Sequence, residues 1–219
     1  MKIENFKEFI REFPYKNQSF DIKKQNWQIE SQQQTIDWIF GESETITLNR
    51  FDLLNSVFDL ESFILKTLMW GYPTKGRGKN IEKILESVNL ERLKKILSNY
   101  KKSAISIEQL RKDIKSIPGL GLSTMTKFTH FLNTTIEGNK AVILDERIIR
   151  ALKRESFEEF EHLKKINHSN AQRLYPEYLK TVDKLSKSMN VLPDQIEMFL
   201  FTFGNTLSEL KGEECYDYD

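Results

Sequence analysis

Two glycines near the middle of the chain are spaced so that a turn of backbone could bind a phosphate group. Gly119 and Gly121 stand in segment 116–121, with the sequence SIPGLG, between two amphipathic stretches. Glycine permits positive φ and carries no Cβ, so the amides at the start of the following helix could approach a phosphate oxygen directly. The segment predicts a phosphate-binding hairpin that ignores base sequence. A plain helix-to-helix turn is the alternative interpretation.

Lysines flank the predicted hairpin on both sides. Lys112 and Lys115 precede it, and Lys127 follows it, one helical turn beyond Ser123. Such lysines are typical of phosphate contacts, which weaken with salt, although an ordinary solvated helix face is the alternative. We interpret Lys127 as a solvent-facing lysine beside phosphate rather than as an amine nucleophile. The predicted contacts within the hairpin are Pro118, Gly119, Gly121, Ser123 and Thr124.

The segments after the hairpin follow the order of a known family. A helical pattern runs through Phe131, and the apolar run 141–144 (AVIL) then ends at Asp145, which opens the next helix. This order resembles the helix-hairpin-helix DNA glycosylase superfamily, whose hairpin has the form apolar-Pro-Gly-apolar-Gly. The resemblance covers residues 60 to 200 and is dense at 106 to 152. It implies that the chain binds double-stranded DNA and cleaves the bond between a base and its sugar.

The resemblance gives Asp145 the role of the catalytic carboxylate. Cleavage of an N-glycosidic bond develops positive charge on the deoxyribose, and a carboxylate near C1′ stabilises this charge and orients or deprotonates the attacking water. From position alone, the alternative is a helix cap, because an aspartate just before a helix accepts hydrogen bonds from the first amides. With the hairpin in place, catalysis is the favoured interpretation.

Ser123 stands at a position that divides the family by reaction. Members that also cleave the strand have a lysine two residues after the second hairpin glycine, and its amine attacks the sugar. This chain has Ser123 there and is similar in this respect to the adenine glycosylase branch, which implies hydrolysis without lyase activity. It departs from that branch because it lacks the four-cysteine cluster and because the span from Gly121 to Asp145 is longer than expected.

The loop at 70–80 is a second candidate site, since it combines three glycines with three cations. Its start, 69–73 (MWGYP), resembles a bacterial group of proteins with an 8-oxoguanine-glycosylase-like fold. A DNA glycosylase extrudes its target nucleotide and holds the base against flat side chains. We assign Trp70 and Tyr72 to the base pocket, with a place in the core as the alternative for Trp70. The predicted phosphate contacts of the loop are Lys75, Arg77 and Lys79.

Helices are the elements expected to position these residues. Apolar spacing predicts helices over most of the chain, Ser106 with Gln109 predicts a capped start for the helix before the hairpin, and Asp194 is predicted to cap the last helix. We expect an all-α fold of two helical lobes around a cleft, with a central helix-hairpin-helix. The expected segments are an N-terminal helical segment 1–60 contributing to one lobe, a glycosylase-like core 61–210 and a frayed tail 211–219. The phenylalanines assigned to packing are Phe58, Phe63, Phe128, Phe131, Phe199, Phe201 and Phe203.

Composition limits the classes of function. The formal net charge of +1 gives no global basic field, so any DNA-binding surface must be local. The single cysteine, Cys215, excludes an intrachain disulfide and a cysteine-held cluster, and no metal-ligand spacing links the three histidines. No apolar segment has the length of a membrane span. We expect a monomeric cytoplasmic protein that needs no metal or cofactor.

The expected function is a DNA glycosylase without lyase activity that removes a damaged, mispaired or modified base from duplex DNA. A repair substrate and a modified base of invading phage DNA are equally open. One alternative is a non-catalytic helix-hairpin-helix DNA-binding module in which Asp145 is only a cap. Another is a helical scaffold for protein interaction that binds no DNA.

Overall fold

The computed structural model describes residues 1–76 and 78–207, and most of these are helical. No helix in this part of the chain is both long and apolar enough to cross a membrane. The predicted tail 211–219, with Cys215, lies outside the described residues. The α-helices are α1 (Lys7–Glu12), α2 (Gln33–Phe40), α3 (Arg50–Asn55), α4 (Leu60–Gly71), α5 (Asn80–Leu85), α6 (Ser87–Tyr100), α7 (Ile107–Lys115), α8 (Leu122–Phe131), α9 (Glu146–Lys153), α10 (Ala171–Met189) and α11 (Pro193–Phe203). Short 3-10 helices cover Ile3–Phe6, Tyr15–Asn17, Lys24–Trp27, Glu30–Gln32 and Glu158–Leu163.

Two small sheets accompany the helices, so the expectation of an all-α fold is wrong in this respect. In the first sheet, β1 (Ser19–Lys23) pairs antiparallel with β2 (Thr45–Asn49). Apolar and polar residues alternate in both strands, which is the period of a strand rather than of a helix. The N-terminal segment 1–60 is therefore not purely helical. In the second sheet, β3 (Ala104–Ile105) pairs parallel with β4 (Thr135–Ile136), which pairs antiparallel with β5 (Asn139–Lys140).

Helix α4 lies at the centre of the core. Its residues Phe63, Ile64, Leu65 and Leu68 are all fully buried. Because neighbouring positions on a helix point in different directions, a helix with this pattern is surrounded by other elements. Helices α2, α6 and α8 and strand β1 pack against it. This arrangement fixes α8, and with it the hairpin, against the middle of the molecule.

Phe58 is an exception among the phenylalanines assigned to packing. Its side chain is 87% exposed, and the ammonium group of Lys101 lies 4.5 Å from the centre of its ring. It stands in the turn between α3 and α4, where no helix turns it toward the core. The assignment of Phe58 to packing is therefore wrong.

The start of α11 also differs from the expectation. Leu192 precedes the helix and Pro193 is its first residue, a position that suits proline because its missing N–H would have no partner there. Asp194 is consequently inside the first turn, and its side chain is buried against Lys140. Its predicted role as the helix cap is wrong.

Candidate functional site

The turn between α7 and α8 has a tight backbone at Gly119. The Leu120 amide donates to the carbonyl oxygen of Ile117 at 3.2 Å, and both of these side chains are buried. Gly119 has a φ of +83°, and a Cβ at this position would lie 2.5 Å from the carbonyl oxygen of Asn80. Only glycine fits both the conformation and the space. The turn is thus packed directly on the start of α5.

Gly121 leaves the start of α8 open. It has a φ of −114°, and a Cβ there would meet no atom within 4 Å. It is the residue preceding α8, and no side chain caps the amides of the helix. Positive φ is therefore found at Gly119, and an unobstructed backbone is found at Gly121. Neither glycine has both properties. The first amides of α8 have no side-chain cap, and phosphate binding at a helix start requires such free amides.

Helix α7 brings cations to the hairpin. Ser106 caps the helix as predicted, since its hydroxyl accepts from the Gln109 amide at 3.1 Å. Lys112 and Lys115 lie exposed in the last turn, and neither has an ion pair within residues 1–76 and 78–207. The helix dipole also stabilises cations in the last turn of a helix, so helix stability is the alternative explanation for these two lysines. A further cation that the sequence did not reveal is Arg92 of α6, which donates to the carbonyl oxygen of Ser116 at 2.6 Å.

The predicted basic loop lies against the hairpin. The Tyr72 hydroxyl is 2.8 Å from the hydroxyl of Thr124. The ammonium of Lys75 lies 3.0 Å from Glu82, and Lys79 is exposed just before α5. Arg77 lies outside the described residues. A cavity of about 170 Å³ is lined from both segments by Tyr72, Lys75, Gly119, Gly121, Ser123 and Thr124, among others.

Trp70 does not line this cavity. Its side chain is 3% exposed, and its indole N–H donates to the carbonyl oxygen of Gln18 at 3.3 Å. The guanidinium of Arg50 lies 5.4 Å from the centre of its ring. Trp70 therefore belongs to the core, and its assignment to the base pocket is wrong.

Lys127 is buried rather than solvent-facing. It is 4% exposed, and its ammonium donates to the carbonyl oxygen and the hydroxyl of Ser123 at 3.1 and 3.0 Å. The ammonium also lies 5.4 Å from the centre of the Tyr72 ring. Its stem packs so closely on Gly71 that a Cβ there would lie 2.9 Å from it. Lys127 is thus a buried support of the hairpin and not a surface contact for phosphate.

The run that leads to Asp145 is held from two sides. All four of its residues, 141–144, are buried. The Leu144 amide donates to the Thr126 hydroxyl on α8 at 3.2 Å. On α10, the hydroxyl groups of Tyr175 and Tyr178 donate to the carbonyl oxygens of residues 142 and 143 at 2.7 and 3.3 Å. Burial raises the pKa of both tyrosines, which keeps their hydroxyl groups protonated as donors. These three positioning residues were not found from the sequence, because a hydroxyl in a helix carries no pattern of its own.

Asp145 is half-buried at the end of this run and opens α9. Its Oδ1 accepts hydrogen bonds from the amides of Arg147 and Ile148, each at 3.0 Å. This is the geometry of the helix cap that was weighed against catalysis. Oδ2 has no hydrogen-bond partner in the described part of the chain. Capping therefore occupies one carboxylate oxygen and leaves the second one for another role.

A buried ion pair lies deeper in the molecule. Arg50 and Glu197 form two hydrogen bonds of 2.6 and 3.0 Å, and both side chains are almost completely buried. Burial raises the pKa of Glu197, and the nearby Asp145 and Asp194 raise it further, while Arg50 opposes these effects. Glu197 is flanked by the apolar Ile196 and Met198 in α11, which is the sequence signal that could have indicated a buried partner.

His130 belongs to a second buried polar group. Its Nδ1 lies 3.3 Å from the carbonyl oxygen of Ala141, and its Nε2 lies 3.7 Å from Asp194. Burial lowers the pKa of His130, so the ring is neutral near pH 7. Lys140 donates to Asp194. Within residues 1–76 and 78–207, no group of three histidine, cysteine, aspartate or glutamate side chains is arranged to hold a metal ion.

Comparison with known proteins identifies one related family. The model of the family described as "Putative 8-oxoguanine DNA glycosylase OGG-like protein" matches residues 14–201. No curated protein and no solved structure matches the chain. The matched range contains the hairpin, the basic loop and Asp145.

Proposed function

The chain belongs to this OGG-like family, and from this membership we propose that it hydrolyses the N-glycosidic bond of a damaged, mispaired or modified base in duplex DNA. The observation that carries the proposal is the placement of Asp145. Its half-buried carboxylate ends a buried run that is hydrogen-bonded to the hairpin helix α8 on one side and to α10 on the other. The proposed catalytic group and the proposed DNA-binding element are therefore held in one framework.

The proposed chemistry uses the two oxygens of Asp145 differently. Two helix amides hold Oδ1, which fixes the direction of the carboxylate. Oδ2 then stabilises the positive charge that develops on the deoxyribose and orients the attacking water. A carboxylate and a water molecule are sufficient for this reaction, so it needs no metal or cofactor.

Water is the proposed nucleophile because no amine stands at position 123. The nearest ammonium is that of Lys127, which is buried and bound twice to Ser123. We therefore propose a glycosylase without lyase activity. Incubation with borohydride tests this point directly, since a lysine that attacks the sugar would become covalently linked to the DNA.

The proposed DNA-binding surface combines the helix-hairpin-helix with the loop beside it. The open amides of α8 and the exposed Lys112 and Lys115 contact phosphates, and the loop contributes Lys75, Arg77 and Lys79. Tyr72 is the base-pocket candidate, since it lines the cavity between loop and hairpin. We further propose two lobes around a cleft with the duplex across its mouth, in a monomer, with residues 1–60 contributing to one lobe and 61–210 forming the core.

The decisive experiment is an excision assay on duplex oligonucleotides that carry damaged, mispaired and hypermodified bases, including those of phage DNA. Strand breaks are measured with and without hot alkali, because alkali cleaves abasic sites. We expect breaks that depend on alkali for at least one base, and a rate about 10²-fold to 10⁴-fold lower for Asp145→Asn. Asparagine caps a helix nearly as well as aspartate, so this variant removes the charge while keeping the fold.

A matched control is Asp59→Asn. Asp59 is exposed and caps α4 by accepting from the Glu61 amide at 3.2 Å. It therefore undergoes the same change of cap and charge away from the hairpin, and we expect wild-type excision. Equal rates for both variants and the wild type would exclude Asp145 as the catalytic group.

The second candidate function is a DNA-binding module without catalysis. The two amide hydrogen bonds to Oδ1 favour it, because a pure cap needs nothing more. This candidate predicts salt-sensitive duplex binding with no abasic product for any base. The third candidate, a protein-interaction scaffold, predicts no duplex binding even at low salt.

A further inference from the structure

Helix α9 carries a group of cations that the proposed DNA contacts do not include. Arg147, Arg150, Lys153 and Arg154 are all exposed and line one groove of about 500 Å³ together with Asn205. We call this feature the α9 groove. No acidic side chain lines it. In a protein with a net charge of only +1, four cations around one groove form a local positive field.

Most of this charge is not neutralised. Arg150 has one exposed ion pair, at 3.7 Å from Glu146. Within residues 1–76 and 78–207, the other three cations have no carboxylate within ion-pair distance. Ordinary solvated helix faces mix both signs of charge in similar number, whereas here Glu146 is paired with only one of the four cations.

Helix stability does not account for the whole group. Arg150 and Lys153 lie in the last turn of α9, where the helix dipole stabilises cations. Arg147 lies in the first turn, where a cation is unfavourable. Its guanidinium is nevertheless held in place, 4.8 Å from the centre of the Phe201 ring, and its carbonyl oxygen accepts from Asn205 at 2.8 Å. The helix dipole therefore does not explain this arginine, and its positive charge has no carboxylate partner among residues 1–76 and 78–207.

We propose that the α9 groove binds the phosphate backbone of DNA, as a second contact surface besides the hairpin. The groove begins within one turn of Asp145, on the helix that Asp145 caps. From Arg147 to Arg154 the helix rises by roughly 10 Å, which corresponds to about three base-pair steps along a duplex. A strand whose sugar lies at Asp145 can therefore continue along α9. This inference rests on the proposed function, because it assumes that DNA reaches Asp145.

The chain itself offers a competing occupant. Segment 208–219 contains five acidic residues and one lysine and follows Asn205 closely in the sequence. DNA is favoured because the groove starts beside the proposed catalytic residue and because the description of the family names a DNA glycosylase. The test below separates the two occupants.

The test is the affinity of the full-length protein for an undamaged labelled duplex, measured by fluorescence anisotropy over a series of salt concentrations. The groove variant is Arg150→Gln with Arg154→Gln, since glutamine preserves helix propensity. The control is Lys180→Gln with Lys184→Gln, which removes the same charge from exposed positions of α10. We expect an affinity about tenfold lower and a salt slope smaller by about two for the groove variant, and near-wild-type values for the control.

Each other outcome has a definite meaning. Equal affinity and slope for the groove variant and the control would overturn the inference. An increase in affinity for the groove variant alone would also overturn it and would assign the groove to the acidic residues of 208–219. Base excision by the wild type, measured in parallel, tells a failure of this inference from a failure of the proposed function, because excision would persist in the first case and be absent in the second.

Discussion

The two carboxylate oxygens of Asp145 have different surroundings. Oδ1 is held by two amides of α9, whereas Oδ2 has no hydrogen bond from the described residues. The same residue can therefore cap a helix and act on a substrate. Capping and catalysis were weighed as alternatives from the sequence, but the geometry makes them compatible.

His130 offers a residue-scale prediction on pH. Burial lowers its pKa, so the unfolded chain binds a proton at this site more readily than the folded protein. Stability is then fully present above the ordinary histidine pKa of about 6.5 and decreases as the pH falls below it. We expect a loss of at most about 1.4 kcal/mol in the free energy of unfolding per pH unit from this residue. Urea unfolding between pH of about 6.5 and about 5 measures it.

The comparison that isolates this effect uses His130→Gln and His162→Gln. His162 is exposed, so its replacement should leave the pH dependence of stability as in the wild type. His130→Gln should make that dependence flatter, whatever its effect on stability at neutral pH. The same slope in all three proteins would contradict a buried neutral histidine.

At the scale of elements, the two hairpin glycines have separable roles. Gly119→Ala combines a φ of +83° with a Cβ 2.5 Å from a backbone oxygen, so we expect a free energy of unfolding lower by about 2 kcal/mol or more. Gly121→Ala meets no atom, and we expect a loss below about 1 kcal/mol. Its methyl group would nevertheless stand at the open start of α8, where the phosphate is proposed to bind, so duplex binding should weaken severalfold.

Urea unfolding and duplex anisotropy, measured on both variants, check this prediction. Each glycine variant is the control for the other, because both introduce the same methyl group, at positions only two residues apart. A Gly119→Ala protein as stable as the wild type would exclude the structural role of Gly119. Unchanged duplex binding by Gly121→Ala would exclude the role of Gly121 in phosphate binding.

The order of the site elements could be predicted from the sequence, but the direction of several side chains could not. Ser106 begins α7 as predicted, and Asp145 opens α9 directly after a buried run. Lys127 was placed on the correct helix and on the wrong face, because helical spacing does not reveal which face a distant segment covers. Here Gly71, at the end of α4, packs against the stem of Lys127. The strands β1 and β2 were missed because each is only five residues long and three of the five residues in each are polar.

At the scale of the whole molecule, the N-terminal segment is tied to the C-terminal helices. The Ile3 amide donates to the Glu159 carboxylate at 3.0 and 3.1 Å, and Arg50 pairs with Glu197, 147 positions later. Pairings over such distances have no local sequence signal. Residues 1–60 are therefore an integral part of the fold, even though no motif in them pointed to a function.

The Arg50–Glu197 pair gives a prediction at this scale. Arg50→Met leaves a buried carboxylate without its partner, so we expect a free energy of unfolding lower by about 3–5 kcal/mol. Adding Glu197→Met removes the unpaired charge and should restore a large part of the loss. Urea unfolding of the single and double variants measures the coupling.

The pair Lys24–Asp37, with 3.0 Å between the charged atoms, provides the matched control, because Lys24 is half-buried and Asp37 is exposed to solvent. Lys24→Met should cost less than about 1 kcal/mol, because solvent screens this pair. A double variant at 50 and 197 that is less stable than Arg50→Met alone would contradict the role of the buried pair.

The turn between β4 and β5 is a place where the chain can change in length. Its two residues, Glu137 and Gly138, both have positive φ, as in a tight hairpin turn, and they lie before the run 141–144 is fastened to α8 and α10. Residues gained or lost at this tip would lengthen or shorten the strand pair without shifting the carboxylate. The long span from Gly121 to Asp145 is thus compatible with an unmoved position of the proposed catalytic carboxylate.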